Sequence, residues 1–197
     1  MIEQSGERET VRIFVARKDA YAVEAEQILQ DLRDNFGLDT LTGLKIYNRY
    51  DISGPDAALM AQTRWTVWAQ APLDEVYDET TDLSGADFVL AVEALPGQYE
   101  QREDSAEQCV QLLSPGQRPL VRCAKVYAFN GRIQAAEQAE IRRYLINPVE
   151  AREAALAKPK SLQPPVKQPE AVATLNGFRA LSQAELVDKI YDYQQLA

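Results

Sequence analysis

Hydrophobic and polar positions along this chain switch between two periods, predicting strands and amphipathic helices in turn. Val11, Ile13 and Val15 put β-branched residues on one face of a strand. Tyr21, Ala25, Ile28, Leu29, Leu32 and Phe36 then recur at helical spacing, and Gly37 follows as a stop. Leu44, Ile46, Tyr50 and Ile52 alternate with Lys45, Tyr47, Arg49 and Asp51, which predicts a half-buried strand with a polar outer face. Pro55 opens a helix running through Leu59 and Met60 towards Arg64. The stretch from Trp65 to Thr81 is less regular, and Pro72 with Leu73, Val76 and Tyr77 predicts one short helical turn.

The second half repeats this order. Phe88, Leu90 and Val92 predict a strand, and Ala106, Cys109, Val110 and Leu113 a helical stripe. Ser105 with Gln108 fits a capping box at that helix's start. Pro115 and Gly116 break the chain before a strand through Val121, Cys123, Tyr127 and Phe129. Asn130-Gly131 turns, and Ile133, Ile141, Tyr144 and Leu145 carry a last helix. A shift of 77 residues lays Val11, Ile13 and Val15 on Phe88, Leu90 and Val92. The same shift lays Leu44, Ile46, Tyr50 and Ile52 on Val121, Cys123, Tyr127 and Phe129, Asn48 on Lys125, and Gly54 on Gly131. One shift serving both strands points to a duplicated β-α-β-α unit. The expected class is α+β, with antiparallel sheet backed by helices, most simply as two layers. Its halves fall at about 10–80 and 86–157, after a polar tail at 1–9.

Beyond Ala157 the pattern changes. The run KPKSLQPPVKQPE at 158–170 carries four prolines and predicts an extended tether, or a segment laid across another surface. The linker is expected to span 158–181. Ser182 and Glu185 then open an amphipathic helix over 182–197, bearing Leu186, Ile190 and Tyr193 on one face. A lone helix of this kind needs a partner surface, as the start of a further domain in a larger protein would.

Composition narrows the chemistry. The 197 residues include no histidine, which removes the usual neutral-pH base, the Ser-His and Cys-His pairs and most zinc sites. A formal net charge of -9 disfavours non-specific nucleic-acid binding. No apolar run reaches the roughly 18–20 residues that cross a bilayer, and the N-terminus lacks a signal-peptide core. With only two cysteines, a cytoplasmic protein without a disulfide framework is expected. Neither phosphate-binding glycine motif occurs. Cys109 and Cys123 read as small buried hydrophobes rather than nucleophiles. Asp74, Glu75, Asp78 and Glu79 read as a solvated face before a metal site. No catalytic residue and no metal ligand is expected in this chain.

The residues that remain are Pro96, Gly97 and Gln98 in a turn, then Arg102, Asp104 and Ser105 approaching a helix. Polar groups at a helix start can orient anions, and can equally turn and cap the chain.

The runs LPGQYEQREDSAEQCVQLL, INPVEARE at 146–153 and NRYDISG at 48–54 resemble the N-terminal region of the large, single-chain phosphoribosylformylglycinamidine synthases of purine biosynthesis. GFRAL at 177–181 resembles the start of that family's linker domain, and the likeness spans roughly 10–196. The resemblance implies a fold similar to a fused dimer of the small PurS subunit. It implies membership of an enzyme that uses ATP and Mg2+ to activate the amide of formylglycinamide ribonucleotide, and ammonia from glutamine to form the amidine. The synthetase and glutaminase domains are its implied partners, covalent or separate. They lie outside this sequence, so the fragment alone is expected to be inactive. The loops carrying Pro96, Gly97, Gln98, Arg102, Asp104, Ser105, Asn147 and Pro148 are then expected to face those domains. A free-standing scaffold subunit and a module sensing amino acids or other small molecules are the alternative readings.

Overall fold

In the computed structural model, which describes residues 10–116, 118–163 and 181–187, the alternating segments pair into one antiparallel sheet. Its strands are β1 (Val11–Arg17), β2 (Leu41–Ser53), β3 (Asp74–Asp78), β4 (Phe88–Ala94), β5 (Leu120–Gly131) and β6 (Ala151–Glu153), in the order β3-β1-β2-β5-β4-β6. Helices α1 (Val23–Phe36), α2 (Ala57–Thr63), α3 (Gln101–Leu113) and α4 (Ala135–Leu145) alternate with them, giving an α+β fold. The sheet is a single continuous one rather than two layers, because the long strands β2 and β5 pair along their whole length.

The helices begin and end where local chemistry dictates. α1 has Glu24 and Glu26 in its first turn and Arg33 in its last, matching the helix dipole. Gly37 closes it at φ 67, with its N–H donated to the Arg33 and Leu32 carbonyls. Asp56 caps α2 by accepting the Leu59 N–H at 2.8 Å. Gln134 and Glu137 form a capping box for α4. For α3 the expected box at Ser105 and Gln108 is not formed. Glu100 is extended and its carboxylate accepts the Arg102 N–H at 3.2 Å, so the helix starts at Gln101 and Ser105 lies inside it, exposed. Cys109 also departs from expectation. The buried line of α3 runs through Ala106 and Val110, leaving Cys109 exposed beside Leu112 and Leu113.

One face of the sheet is covered by helices, in two interleaved cores. Ile13, Val15, Ile52 and Val121 pack beneath Leu59 of α2, Trp68, and Ala106 and Val110 of α3. Phe88, Leu90, Tyr127 and Phe129 pack beneath Leu32 of α1 and Ile141 of α4. Each long helix thus packs over strands of both halves of the chain. Close-packed cores of this kind resist loss of even one methylene.

The opposite face was expected to be polar and exposed along β2, yet Tyr47, Arg49 and Asp51 are buried there with Phe14, Ala16, Ala124, Val126 and Ala128. Leu83 and Ala86 pack on this face, and residues 154–162 run across it. Arg12 donates to the Leu156 and Ala157 carbonyls, and Arg49 to that of Ala155. Lys158 pairs with Glu79, and Leu162 is buried. The first of two compact units accordingly ends at Gln163.

The predicted helical turn at Pro72–Tyr77 is instead β3, at one edge of the sheet. Its backbone pairs with β1, for example Val15 opposite Val76, and its charges alternate on both sides as an edge strand tolerates. The acidic cluster is not simply solvated: Asp74, Glu75, Asp78 and Glu79 pair with Arg17, Lys45, Arg64 and Lys158, and Asp74 is buried.

Raising residue numbers by 77 carries one set of ladders onto the other. Ile13 lies opposite Tyr50 and Leu90 opposite Tyr127; Val15 lies opposite Val76 and Val92 opposite Glu153. Between β2 and β5, Asn48 lies opposite Lys125, the residue 77 positions on. Gly54 and Gly131 follow the two long strands at φ 123 and φ 133.

In the second unit, Ser182 and Glu185 exchange capping bonds at the start of a helical stretch at 183–187. The polar tail at 1–9, most of the proline-rich linker and GFRAL run, and the helix beyond Val187 lie outside the described residues. Among the described residues, no helix is long and apolar enough to cross a membrane.

Candidate functional site

The centre of the β2–β5 ladder is where the sheet's apolar face becomes polar. Lys125 pairs with Glu24 of α1, and the Asn48 side-chain oxygen accepts a hydrogen bond from Arg102 Nη1 of α3. Each long helix therefore sends one charged side chain to the strand pair.

Two openings flank this point. One, of about 400 Å³, has Val92, Cys123 and Tyr127 from the sheet on its wall, with Gln98, Glu100 and Arg102 from the approach to α3. The other, of about 250 Å³, is lined by Arg17, Trp65, Trp68, Gln70 and Asp74. Tyr50 and Arg102 border both.

Two of the predicted loops meet at the larger opening. Pro96 and Gly97 form a turn closed by Gln98 N–H donating to the Leu95 carbonyl at 3.0 Å, with Gly97 at φ 89. The turn at Asn147 and Pro148 lies against it. Leu95 N–H donates to the Glu150 carbonyl at 2.9 Å, and Gln98 Nε2 to that of Val149 at 3.5 Å. Asn147 Oδ1 accepts the Val149 N–H at 3.2 Å. Gln98 and Arg102 line the opening. Asp104 accepts from Tyr99, Gln108 and Arg118 at 3.1, 2.6 and 3.3 Å, a local brace on the helix start. Ser105 joins neither the loops nor the opening's lining.

Burial sets the electrostatics. It pushes the phenols of Tyr50 and Tyr127 up to about 12. It pushes the Cys123 thiol well up as well, aided by Glu103 and Glu100, so this sulfur is a neutral core group rather than a thiolate. Glu103 is likewise raised by burial, although it accepts the Cys123 N–H at 2.8 Å and pairs with Arg122. Among the described residues, no group of three His, Cys, Asp or Glu is placed to hold a metal ion. The opening offers a guanidinium, three phenol rings and carboxylates around an apolar wall, which is equipment for binding.

Asn48, Tyr50, Cys123, Lys125 and Tyr127 were not marked as site residues by the sequence, which assigns them to strands. The signal was present in one detail: the polar break of both long strands falls at Asn48 and at Lys125. No protein-family model, no curated protein and no solved structure matches this chain.

Proposed function

We propose that this chain is the N-terminal scaffold portion of a phosphoribosylformylglycinamidine synthase, built as an internally doubled, PurS-like β-α-β-α unit and working in the cytoplasm. The observation that carries the reading is Asn48 opposite Lys125, with the β1–β2 register from Val11 to Val15 repeated at the same shift between β4 and β5. A residue that faces its own counterpart across an antiparallel ladder is what a two-fold pair of equal units produces when fused into one chain. The sequence likeness quoted above supplies the family.

In this reading the scaffold keeps two active centres in register. Ammonia released from glutamine must reach the activated amide without loss, and the activated intermediate must be kept from water. ATP and Mg2+ would be held by the synthetase domain, and the paired turns at Pro96–Gln98 and Asn147–Pro148 would face the partner domains. Exposed Tyr99 and Val149, at 73% and 72%, give those turns apolar contact surface.

The test is complementation. A synthase of this family, deleted for its own N-terminal region, is combined with the 197-residue chain. Binding and restored glutamine-dependent amidine formation are expected, with Arg102→Ala/Asp104→Ala impairing the restoration. The chain alone should neither consume ATP nor hydrolyse glutamine. Turnover by the bare chain, or absence of both binding and restoration, would overturn the reading.

A further inference from the structure

We propose that the 400 Å³ opening beside Arg102 is a binding site for a free α-amino acid, with its carboxylate on Arg102 and Tyr127 and its ammonium on Glu150. This does not rest on the synthase reading.

The first observation is a difference between the halves. At the edge of the first half, Arg17 lies opposite Asp74 and their side chains form an ion pair at 2.9 Å that lines the smaller opening. The positions 77 residues on are Ala94 and Ala151, also opposite each other, and they line the larger one. Two small side chains stand where the other half has a charged pair, and the space is open. Its volume lies within the range of small-ligand sites.

The second observation is polar capacity on the lining of that space. Tyr127, a largely buried residue, lines the opening, and its hydroxyl, which is not itself sealed from water, makes no hydrogen bond to another described residue. Arg102 is half-buried with no carboxylate in ion-pair reach among the described residues, its recorded contacts being to Asn48 and Tyr50.

The third is the balance of charge. Of the carboxylates on the lining, Glu93 pairs with Arg152 and Glu100 caps α3. Glu150 makes no side-chain hydrogen bond or ion pair among the described residues, and Lys125 is already paired with Glu24. One guanidinium without a carboxylate partner and one carboxylate without a cationic partner, among the described residues, suit a ligand carrying one charge of each sign. Three carboxylates on the lining disfavour a dianionic phosphate. Charge-assisted bonds to guanidinium and carboxylate give the recognition its strength.

The full chain is titrated calorimetrically with each of the twenty L-amino acids at millimolar concentration. At least one is expected to bind saturably. Its decarboxylated amine and its deaminated acid should each bind about tenfold or more weakly. Ala94→Arg/Ala151→Asp, which installs the other half's ion pair, should abolish binding while keeping the wild-type circular dichroism. Tyr127→Phe, which removes one hydroxyl, should weaken it several-fold and serves if the double variant does not fold. No saturable binding by any amino acid, equal binding of either truncated analogue, unchanged binding in Tyr127→Phe or in a folded double variant, or displacement by inorganic phosphate would each overturn the proposal.

Discussion

Arg12 grips Asp51 with two donors, Nε at 2.6 Å and Nη2 at 2.9 Å, and the pair is almost wholly out of water at 3% and 2% exposure. Arg49 lies on the other side of the same carboxylate, its Nε 3.4 Å from Asp51 Oδ2. Two buried guanidinium groups thus share one carboxylate. Arg12 also donates to the carbonyls of Leu156 and Ala157 and Arg49 to that of Ala155, so the groups that grip the carboxylate also set the course of the crossing segment.

Removing that carboxylate strands two cations. Asp51→Ala should destabilise the fold by about 3–5 kcal/mol, the usual cost of breaking a buried pair on one side. Glu140→Ala, which removes an exposed partner of Arg143, should change stability by no more than about 0.5 kcal/mol. Urea denaturation of the two variants measures both.

The segment over the sheet should loosen before the sheet does. Arg49→Met keeps much of the buried volume and deletes the bond to the Ala155 carbonyl, 2.7 Å long in the wild type. Trypsin should then cut after Lys160 faster than in the wild type, with β-sheet circular dichroism retained. Equal cleavage rates would show that the arginine does not hold the segment.

Gly131 and Gly97 both sit at positive φ but face different surroundings. A Cβ on Gly131 would lie 2.2 Å from the Thr40 carbonyl oxygen, whereas one on Gly97 meets nothing within 4 Å. Gly97→Ala should cost about 1–2 kcal/mol from backbone conformation alone. Gly131→Ala should cost more, because main chain must move. Paired thermal melts rank the two, and the reverse order would contradict the turn geometry.

Alkali should weaken the fold through its buried phenols. Tyr50 and Tyr127 hold their protons to about 12 in the folded chain, and an unfolded chain releases them near about 10. Between these values the folded state binds more protons, so this contribution is whole below about pH 10 and falls as pH rises towards 12. Two units for each phenol correspond to about 3 kcal/mol apiece. Tyr127→Phe should flatten the fall in urea midpoint between about pH 9.5 and 11.5, and its absorbance titration should lack one late-ionising tyrosine.

Much of this architecture was readable because strands and helices imprint different periods. Ile13 and Val15, or Leu90 and Val92, announce their strands, and the 77-residue shift could be seen in letters before it was seen in registers. Other features depend on distant neighbours. Arg49 and Asp51 look like a wet strand face until a segment a hundred residues later covers them. β3 was hidden because its apolar positions are few, and it follows a π-type turn at Arg64–Trp68 held by Trp68 Nε1 donating to Thr63. Ser105 and Cys109 were misread for one reason: the helix starts at Gln101, set by Glu100, and that start fixes which side faces inward. Arg102 was singled out from its place before a helix, but its contact with Asn48 needed the fold.

The straddling of both halves by the long helices has a consequence for assembly. Because α1 packs over β2 as well as β4 and β5, and α3 over β5 as well as β1 and β2, neither half owns a complete interior. Cut between Asp82 and Ser84, the molecule should behave as two mutually dependent fragments, each collapsed and sticky by itself, that regain structure only on mixing. The intact polypeptide should melt in one step as far as Gln163, with no stage at which one half stands while the other has gone.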